Sequence, residues 1–85
     1  INSSHHTKVV VIRMRSVPAI DASAMKSLHE LADRAKKKNI TLIFSHVNEQ
    51  PMKVMTKDGF VDLIGKENFH ANIVDALDYA EALVK

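Results

Sequence analysis

The hydrophobic positions of the chain follow two different periods. Two short runs, "KVVVIRMR" (Lys8–Arg15) and "ITLIFSH" (Ile40–His46), are apolar at consecutive positions in their middles. Such runs predict strands that are buried on both faces, as in a parallel sheet. From about Asp21 to Lys38, apolar residues recur every three or four positions, which predicts an amphipathic helix. Strand, helix and strand in this order predict a βαβ unit with parallel strands and a right-handed crossover.

Three further segments follow the second strand. A second helix is predicted over Glu49–Lys57, with Asn48 as its N-terminal cap. The stretch "GFVDLIG" (Gly59–Gly65) is predicted to be a short extended segment between two glycines. A last helix is predicted over Asn72–Val84, where a three-residue spacing of asparagine and aspartate resembles a capping box.

The predicted sheet has few partners within this sequence. Two strands that are buried on both faces need helices on each side and further strands beside them. Three helices and one short extended segment supply little of this cover. We therefore expect further strands that precede Ile1 or belong to another chain, while residues 1–7 are predicted to be disordered or the start of a linker.

Length and composition indicate one small α/β domain and exclude several kinds of site. The chain has 85 residues and a net charge of +2, without a dense basic stripe, so nucleic-acid binding is not predicted. It has no cysteine, which excludes disulfides, cysteine-based zinc sites and a thiol nucleophile. No apolar run approaches the roughly 20 residues of a bilayer span, and "INSSHHTK" is unlike a signal peptide. We expect these residues not to insert into a membrane.

The junction between the first strand and the first helix, "VPAIDAS", is the strongest candidate site. Ligands in open α/β sheets meet the loops at the carboxyl ends of strands, and a helix start offers free N–H groups to an anion. Ser23 lies in this first turn, where a phosphate would gain from the helix dipole but would be close to the charge of Asp21. The alternative is that Asp21 is an ordinary helix cap and Ser23 an ordinary first-turn residue.

Catalytic and metal-binding arrangements receive little support. None of the five histidines falls in a metal-ligand spacing, and two glycines cannot form a phosphate-binding glycine loop. His46, at the end of the second strand, has no partnered nucleophile. We predict no catalytic residue, no metal and no cofactor, and we keep a small α/β enzyme that uses Asp21 or His46 as the least favoured alternative.

Three stretches resemble one known family. They are "VIRMRSVPAIDAS", "VNEQPMKVMTKDGFVDLIG" and "NIVDALDYA", and the resemblance extends over about Lys8–Ala82. Together they are similar to a STAS domain, most closely the cytoplasmic C-terminal STAS domain of a SulP-family sulfate or anion transporter. The resemblance implies a mixed sheet with helices packed against it, a βαβ core and no enzyme activity. Because the family has additional N-terminal strands and a helix, residues 8–85 are expected to be the C-terminal portion of the full domain.

The resemblance also implies partners and a site. Related anti-sigma-factor antagonists are phosphorylated in an Asp-Ser/Thr-Ser/Thr-Gly motif, which here is "DASA", with Asp21 and Ser23 matching and the two alanines departing from it. The first alanine favours the transporter branch, and a soluble antagonist switched by phosphorylation of Ser23 remains the alternative. The implied location is the cytoplasmic side of the cell membrane. The implied partners are the transporter's own membrane domain, a second STAS domain or a soluble regulatory protein. The residues predicted to bind a partner or an anion are Pro18, Ile20, Asp21, Ser23, Ala24 and Met25.

Overall fold

A computed structural model describes residues 8–84 as strands and helices in the order β-α-β-α-α-β-α. The predicted linker at residues 1–7 lies outside the described residues. The elements are β1 (Lys8–Arg13), α1 (Ala22–Lys37), β2 (Ile40–Ser45), α2 (Glu49–Asp58), α3 (Phe60–Ile64), β3 (Phe69–His70) and α4 (Ile73–Leu83), with a 3-10 turn over Lys66–Asn68 before β3.

The described strands form a parallel sheet in the order β1-β2-β3. The pairing of β1 with β2 across helix α1 confirms the predicted βαβ unit, with Lys8 opposite Ile40 at the start of the register. The two-residue strand β3 was not predicted, because a segment this short has no hydrophobic period of its own. The α/β class is confirmed, and both strand pairings in residues 8–84 are parallel.

The sheet is covered on two faces by different helices. Leu42 and Phe44 belong to the main hydrophobic core together with residues of α1, α2 and α3, such as Met25 and Met55. Ile43 and Ser45 alternate with them and therefore point to the other face, where α4 packs against the strands. We call these the α1 face and the α4 face.

The two longer strands differ in burial, which corrects part of the prediction. All residues from Leu42 to Ser45 in β2 are buried, as predicted for a strand covered on both faces. Strand β1 is only half-buried, and Val10 is 43% exposed. The physical reason is position: β1 lies at one edge of the described sheet, and α1 packs against β2. A run of valines predicts a strand but does not determine how far neighbouring helices extend over it.

The stretch Gly59–Gly65, predicted to be extended, is instead a short helix, α3. Gly59 has φ of 90°, a left-handed conformation that ends α2 and lets a new helix begin at the next residue. Phe60 and Val61 are buried against the core, whereas Leu63 is 60% exposed. Two buried residues, two exposed ones and then the half-buried Ile64 follow a helical period, but the stretch is too short for that period to be recognised from the sequence.

Two helix boundaries are marked by asparagines. Asn39, directly after the C-cap Lys38 of α1, has a left-handed conformation with φ of 57°. Asn72 caps α4, and its side-chain oxygen accepts a 2.8 Å hydrogen bond from the N–H of Asp75. The reciprocal contact differs from a standard capping box, because the Asn72 amide donates to the Asp75 carboxylate at 3.2 Å.

Candidate functional site

The loop that joins β1 to α1 ends at a well-formed helix cap. Asp21 is extended, and its carboxylate accepts a 2.9 Å hydrogen bond from the N–H of Ala24. The Asp21 carbonyl accepts the first bond of the helix, from the N–H of Met25 at 3.0 Å. The cap proposed as the simpler explanation for Asp21 is therefore present, and it fixes the direction of α1.

Ser23 is exposed in the first turn of α1. Its position behind the cap places it where the helix dipole is positive, and the first turn contains no acidic side chain. Its hydroxyl forms no side-chain hydrogen bond with the residues that the structure describes. Ser23 is thus accessible to a protein partner or a modifying enzyme, as a contact residue must be.

The loop before the cap is held by the side chain of Asn48. This residue occupies the N-cap position of α2, but its side chain makes no capping hydrogen bond, contrary to the prediction. Its amide instead donates to the carbonyls of Val17 at 2.8 Å, Arg15 at 3.1 Å and Met14 at 3.4 Å. Carbonyls in an irregular loop lack ladder partners, and Asn48 supplies a donor to three of them.

Gln50 holds the last part of the same loop. Its side-chain oxygen accepts a 2.8 Å hydrogen bond from the N–H of Ile20, and its amide nitrogen donates to the Ile20 carbonyl at 3.2 Å. A primary amide can satisfy both backbone groups of one residue in this way. Because Ile20 directly precedes the Asp21 cap, these two hydrogen bonds connect the start of α2 to the start of α1.

An open groove of about 540 Å³ lies beside the helix start, between α1 and α2. Its far end is closed by a 2.5 Å hydrogen bond between His29 on α1 and Asp58 on α2, while the His29 ring packs edge-on against Phe60 at 5.2 Å. The lining is mainly apolar, with both charge signs at the rim. It consists of Ile20, Asp21, Ala22, Met25, Lys26, His29, Val54 and Asp58.

The structure places the predicted surface residues together but gives them different exposure. Pro18, Asp21 and Ser23 are exposed, and Ile20 and Ala24 are half-buried. Met25 is buried in the core and lines the inner side of the groove, so it supports the surface and offers little area to a partner. The predicted role of this surface in binding stays a prediction.

The two candidate residues of the least favoured alternative, an enzyme, occupy different surroundings. The carboxylate of Asp21 is bonded within the helix cap, and His46 is exposed at the end of β2 with φ of 52°. No group of three potential metal ligands occurs within residues 8–84. No helix in that range has the length and apolar character of a membrane span.

Sequence reasoning missed the contacts by which Asn48 and Gln50 hold the loop of the candidate site. Both occur in "VNEQP", directly after a predicted buried strand, where the chain passes the carboxyl edge of the sheet. Two amide side chains at such a position can reach the neighbouring βα loop, because carboxyl ends of parallel strands share one edge. The position of these two amides, directly after a predicted buried strand, was the signal in the sequence for contacts with that loop.

Comparisons of the sequence and of the structure with known proteins agree on one family. A family model described as "STAS domain" matches residues 2–76. The crystal structure of a sulfate transporter family protein from Wolinella succinogenes is 36% identical, with a TM-score of 0.87, and the match covers 91% of this chain and 63% of that one. The SulP transporter STAS domain from Vibrio cholerae is 25% identical, with a TM-score of 0.83, over 88% of this chain and 59% of that one.

Two curated relatives from Arabidopsis thaliana are named as sulfate transporters. "Probable sulfate transporter 4.2" and "Sulfate transporter 4.1, chloroplastic" are each 35% identical over 68 residues, which is 80% of this chain. The matched region is 10% of the length of each relative. The similarity therefore concerns one domain of those much longer proteins.

Proposed function

The chain belongs to the STAS domain family, and from this premise we propose that it is a regulatory, non-catalytic domain of a SulP-type sulfate or anion transporter. It acts by binding proteins through the helix-start surface, which comprises Pro18, Ile20, Asp21, Ser23 and Ala24 with Met25 beneath them. Its principal partner is the membrane domain of the same transporter, and its location is the cytoplasmic side of the cell membrane.

The proposal rests on one observation. The exposed Ser23 follows a loop whose backbone is hydrogen-bonded by the side chains of two residues that are distant in sequence. Asn48 donates to three carbonyls of this loop and Gln50 bonds both backbone groups of Ile20, and these contacts favour one loop conformation before a partner binds. A preformed surface loses less conformational entropy on binding than a mobile loop does. The neighbouring groove offers apolar area with charged groups at its rim, which is the composition expected of a protein contact.

The transporter assignment is tested directly by sequencing the whole reading frame that encodes this chain. Relatives named as sulfate transporters share this domain as a small fraction of their length. We expect the frame to encode a series of apolar segments of about 20 residues each. A frame without such segments would contradict the transporter assignment and favour the soluble antagonist.

The contact surface is tested separately in the complete protein by site-specific photo-crosslinking. A photoreactive residue at Ser23 should form crosslinks to peptides of the membrane domain. The same residue at Lys37, exposed at the opposite end of α1, serves as the control and should form none. Equal crosslinking from both positions, or none from Ser23, would place the contact elsewhere on the domain.

The exposure of Ser23 also supports the second candidate, a soluble antagonist switched by phosphorylation. Ser27 lies one turn further along α1 and is also exposed, so it is an internal control. Incubation with ATP and a lysate of the source cells, followed by mass spectrometry, should place a phosphate on Ser23 and leave Ser27 unmodified if the antagonist function is correct. Absence of phosphate on Ser23 would remove this candidate.

A further inference from the structure

A row of polar side chains crosses the sheet at the carboxyl ends of its strands. The register pairs Arg13 of β1 with Ser45 of β2, and Ser45 with His70 of β3. Paired residues in a parallel sheet point to the same side, so all three lie on the α4 face. At the preceding position, Phe44 pairs with Phe69 and faces the core on the opposite side. The polar row is therefore separate from the helix-start surface.

Two atoms in this row are buried without a hydrogen-bond partner in residues 8–84. Ser45 is 1% exposed, and its Oγ has no hydrogen-bond partner among these residues. The Nε2 atom of His70 is also buried and also lacks a partner there. Buried polar atoms are almost always hydrogen-bonded in native proteins, because an unpaired one loses its hydration without compensation. The strand could have carried valine or alanine at position 45, so a hydroxyl there points to a partner beyond residues 8–84.

The start of α4 lies beside the buried Ser45. Helix α4 is eleven residues long and begins at Ile73, beside a cavity of about 160 Å³ that Ser45 also lines. Asn72 caps the N–H of Asp75, while the other N–H groups of the first turn contribute the positive end of the helix dipole. The Asp75 carboxylate is the opposing charge in this turn, and it is bonded to the Asn72 amide.

Two arginine side chains also line this cavity. Arg13 and Arg15 line the cavity with His46, and neither arginine forms an ion pair within the described part of the chain. Arginine presents several N–H donors in a plane and matches tetrahedral oxyanions well. Two such groups beside a helix start and a buried hydroxyl donor form a set of donors that favours an anion with several oxygens.

We propose that this end of the sheet, on the α4 face, is a binding site for a small tetrahedral oxyanion, sulfate or phosphate. Arg13 and Arg15 supply charge, Ser45 supplies a hydroxyl donor and the first turn of α4 supplies backbone N–H groups. The cavity is smaller than the roughly 300 Å³ at which pockets for larger ligands begin, so it suits a free ion rather than a nucleotide. The site does not depend on the proposed contact with a membrane domain.

The test is an NMR titration of the isotope-labelled chain with sodium sulfate and, separately, with sodium phosphate. Sodium chloride at matched ionic strength is the control for general screening. Saturable shifts of the backbone amides of Ser45 and Ile73 are expected with at least one of the two oxyanions and not with chloride. Comparison of the two titrations identifies the preferred ion. Shifts that follow ionic strength alone, or that never saturate, would overturn the site.

Two variants and one matched control attribute the binding to the named groups. Arg13→Gln should weaken the oxyanion about tenfold, since one charge-assisted contact is lost. Ser45→Ala should also weaken it, although the free chain should be no less stable because an unpaired buried hydroxyl is removed. Arg34→Gln removes an exposed arginine from the last turn of α1 and should leave affinity unchanged. Equal affinity in Arg13→Gln and Arg34→Gln would overturn the assignment.

Discussion

The Asn48 side-chain amide donates a 2.8 Å hydrogen bond to the carbonyl of Val17, across 31 positions of sequence. This contact connects the loop after β1 to the loop after β2, the two chain segments that leave the same edge of the sheet. Further bonds from the same nitrogen reach Met14 and Arg15. The loop after β2 therefore helps to hold the helix-start surface in place.

Replacing Asn48 should destabilise the domain and loosen this loop. Asn48→Ala removes the donor from three carbonyls, two of them in part-buried bonds, and should lower the free energy of unfolding by about 1–3 kcal/mol. Urea unfolding followed by circular dichroism measures the loss. Hydrogen exchange should show faster exchange at the Val17 N–H, which donates to the Met14 carbonyl within the same turn.

A control separates this effect from a general loss of helix α2. Lys53→Ala changes an exposed residue in the middle of that helix and should alter stability by less than about 0.5 kcal/mol. If Asn48→Ala were as stable as Lys53→Ala, the three contacts would contribute nothing and the loop would be held by other means.

Gln50 should act on one residue of the loop rather than on the whole domain. Gln50→Ala removes both partners of Ile20, and because the site is exposed, water replaces them at a cost of about 0.5–1.5 kcal/mol. Gln50→Glu keeps an acceptor for the Ile20 N–H but turns a carboxylate oxygen toward the Ile20 carbonyl. Hydrogen exchange at the Ile20 amide should accelerate clearly in Gln50→Ala and less in Gln50→Glu. Equal acceleration in both would mean that the carbonyl contact, not the N–H contact, holds the loop.

The local parts of the fold could be predicted because their signals are local. The valine run of β1, the apolar run of β2 and the three- and four-residue period of α1 predicted the βαβ unit. Asp21 and Asn72 were predicted as caps, since a cap bonds an N–H only three residues away. These features need no knowledge of the rest of the chain.

The features that were missed depend on contacts distant in sequence. Asn48 is in a cap position, and only the folded sheet brings the Val17 carbonyl within reach of its amide. The helix α3 forms because Phe60 fits against Phe44 in the core. The partial exposure of Val10 follows from which strand the helices cover. The row of Arg13, Ser45 and His70 exists only once the register of three strands is known.

Phe60 is expected to be essential to the core although it lies in a five-residue helix. Its side chain is fully buried and meets Phe44 edge-on at 5.8 Å. Phe60→Ala should therefore lower the free energy of unfolding by about 3–5 kcal/mol through lost burial and a cavity. Leu63→Ala, in the same helix but on its exposed side, should change it by less than about 0.5 kcal/mol. Thermal and urea unfolding of both variants test this difference, and comparable losses would contradict the orientation of α3.

The electrostatic character of the α1 start is tested by moving one negative charge along the helix. Ser23→Asp places a carboxylate in the first turn, where the dipole is positive, and should raise the free energy of unfolding by about 0.3–1 kcal/mol. Repulsion from the nearby carboxylate of Asp21 reduces this gain, so the lower part of the range is expected at low salt. Ser27→Asp introduces the same group one turn later and should give no gain, because the dipole effect is confined to the first turn.

Salt dependence distinguishes this dipole effect from a change in packing. Both serines are exposed, so a charge placed there interacts through solvent and is screened. The advantage of Ser23→Asp over Ser27→Asp should shrink when thermal melts are repeated in 1 M sodium chloride, where the Debye length falls to about 3 Å. A difference that persists at high salt would have to come from hydrogen bonding or helix propensity. A phosphate on Ser23 would then gain little from the helix start, and phosphorylation would act through the partner's surface.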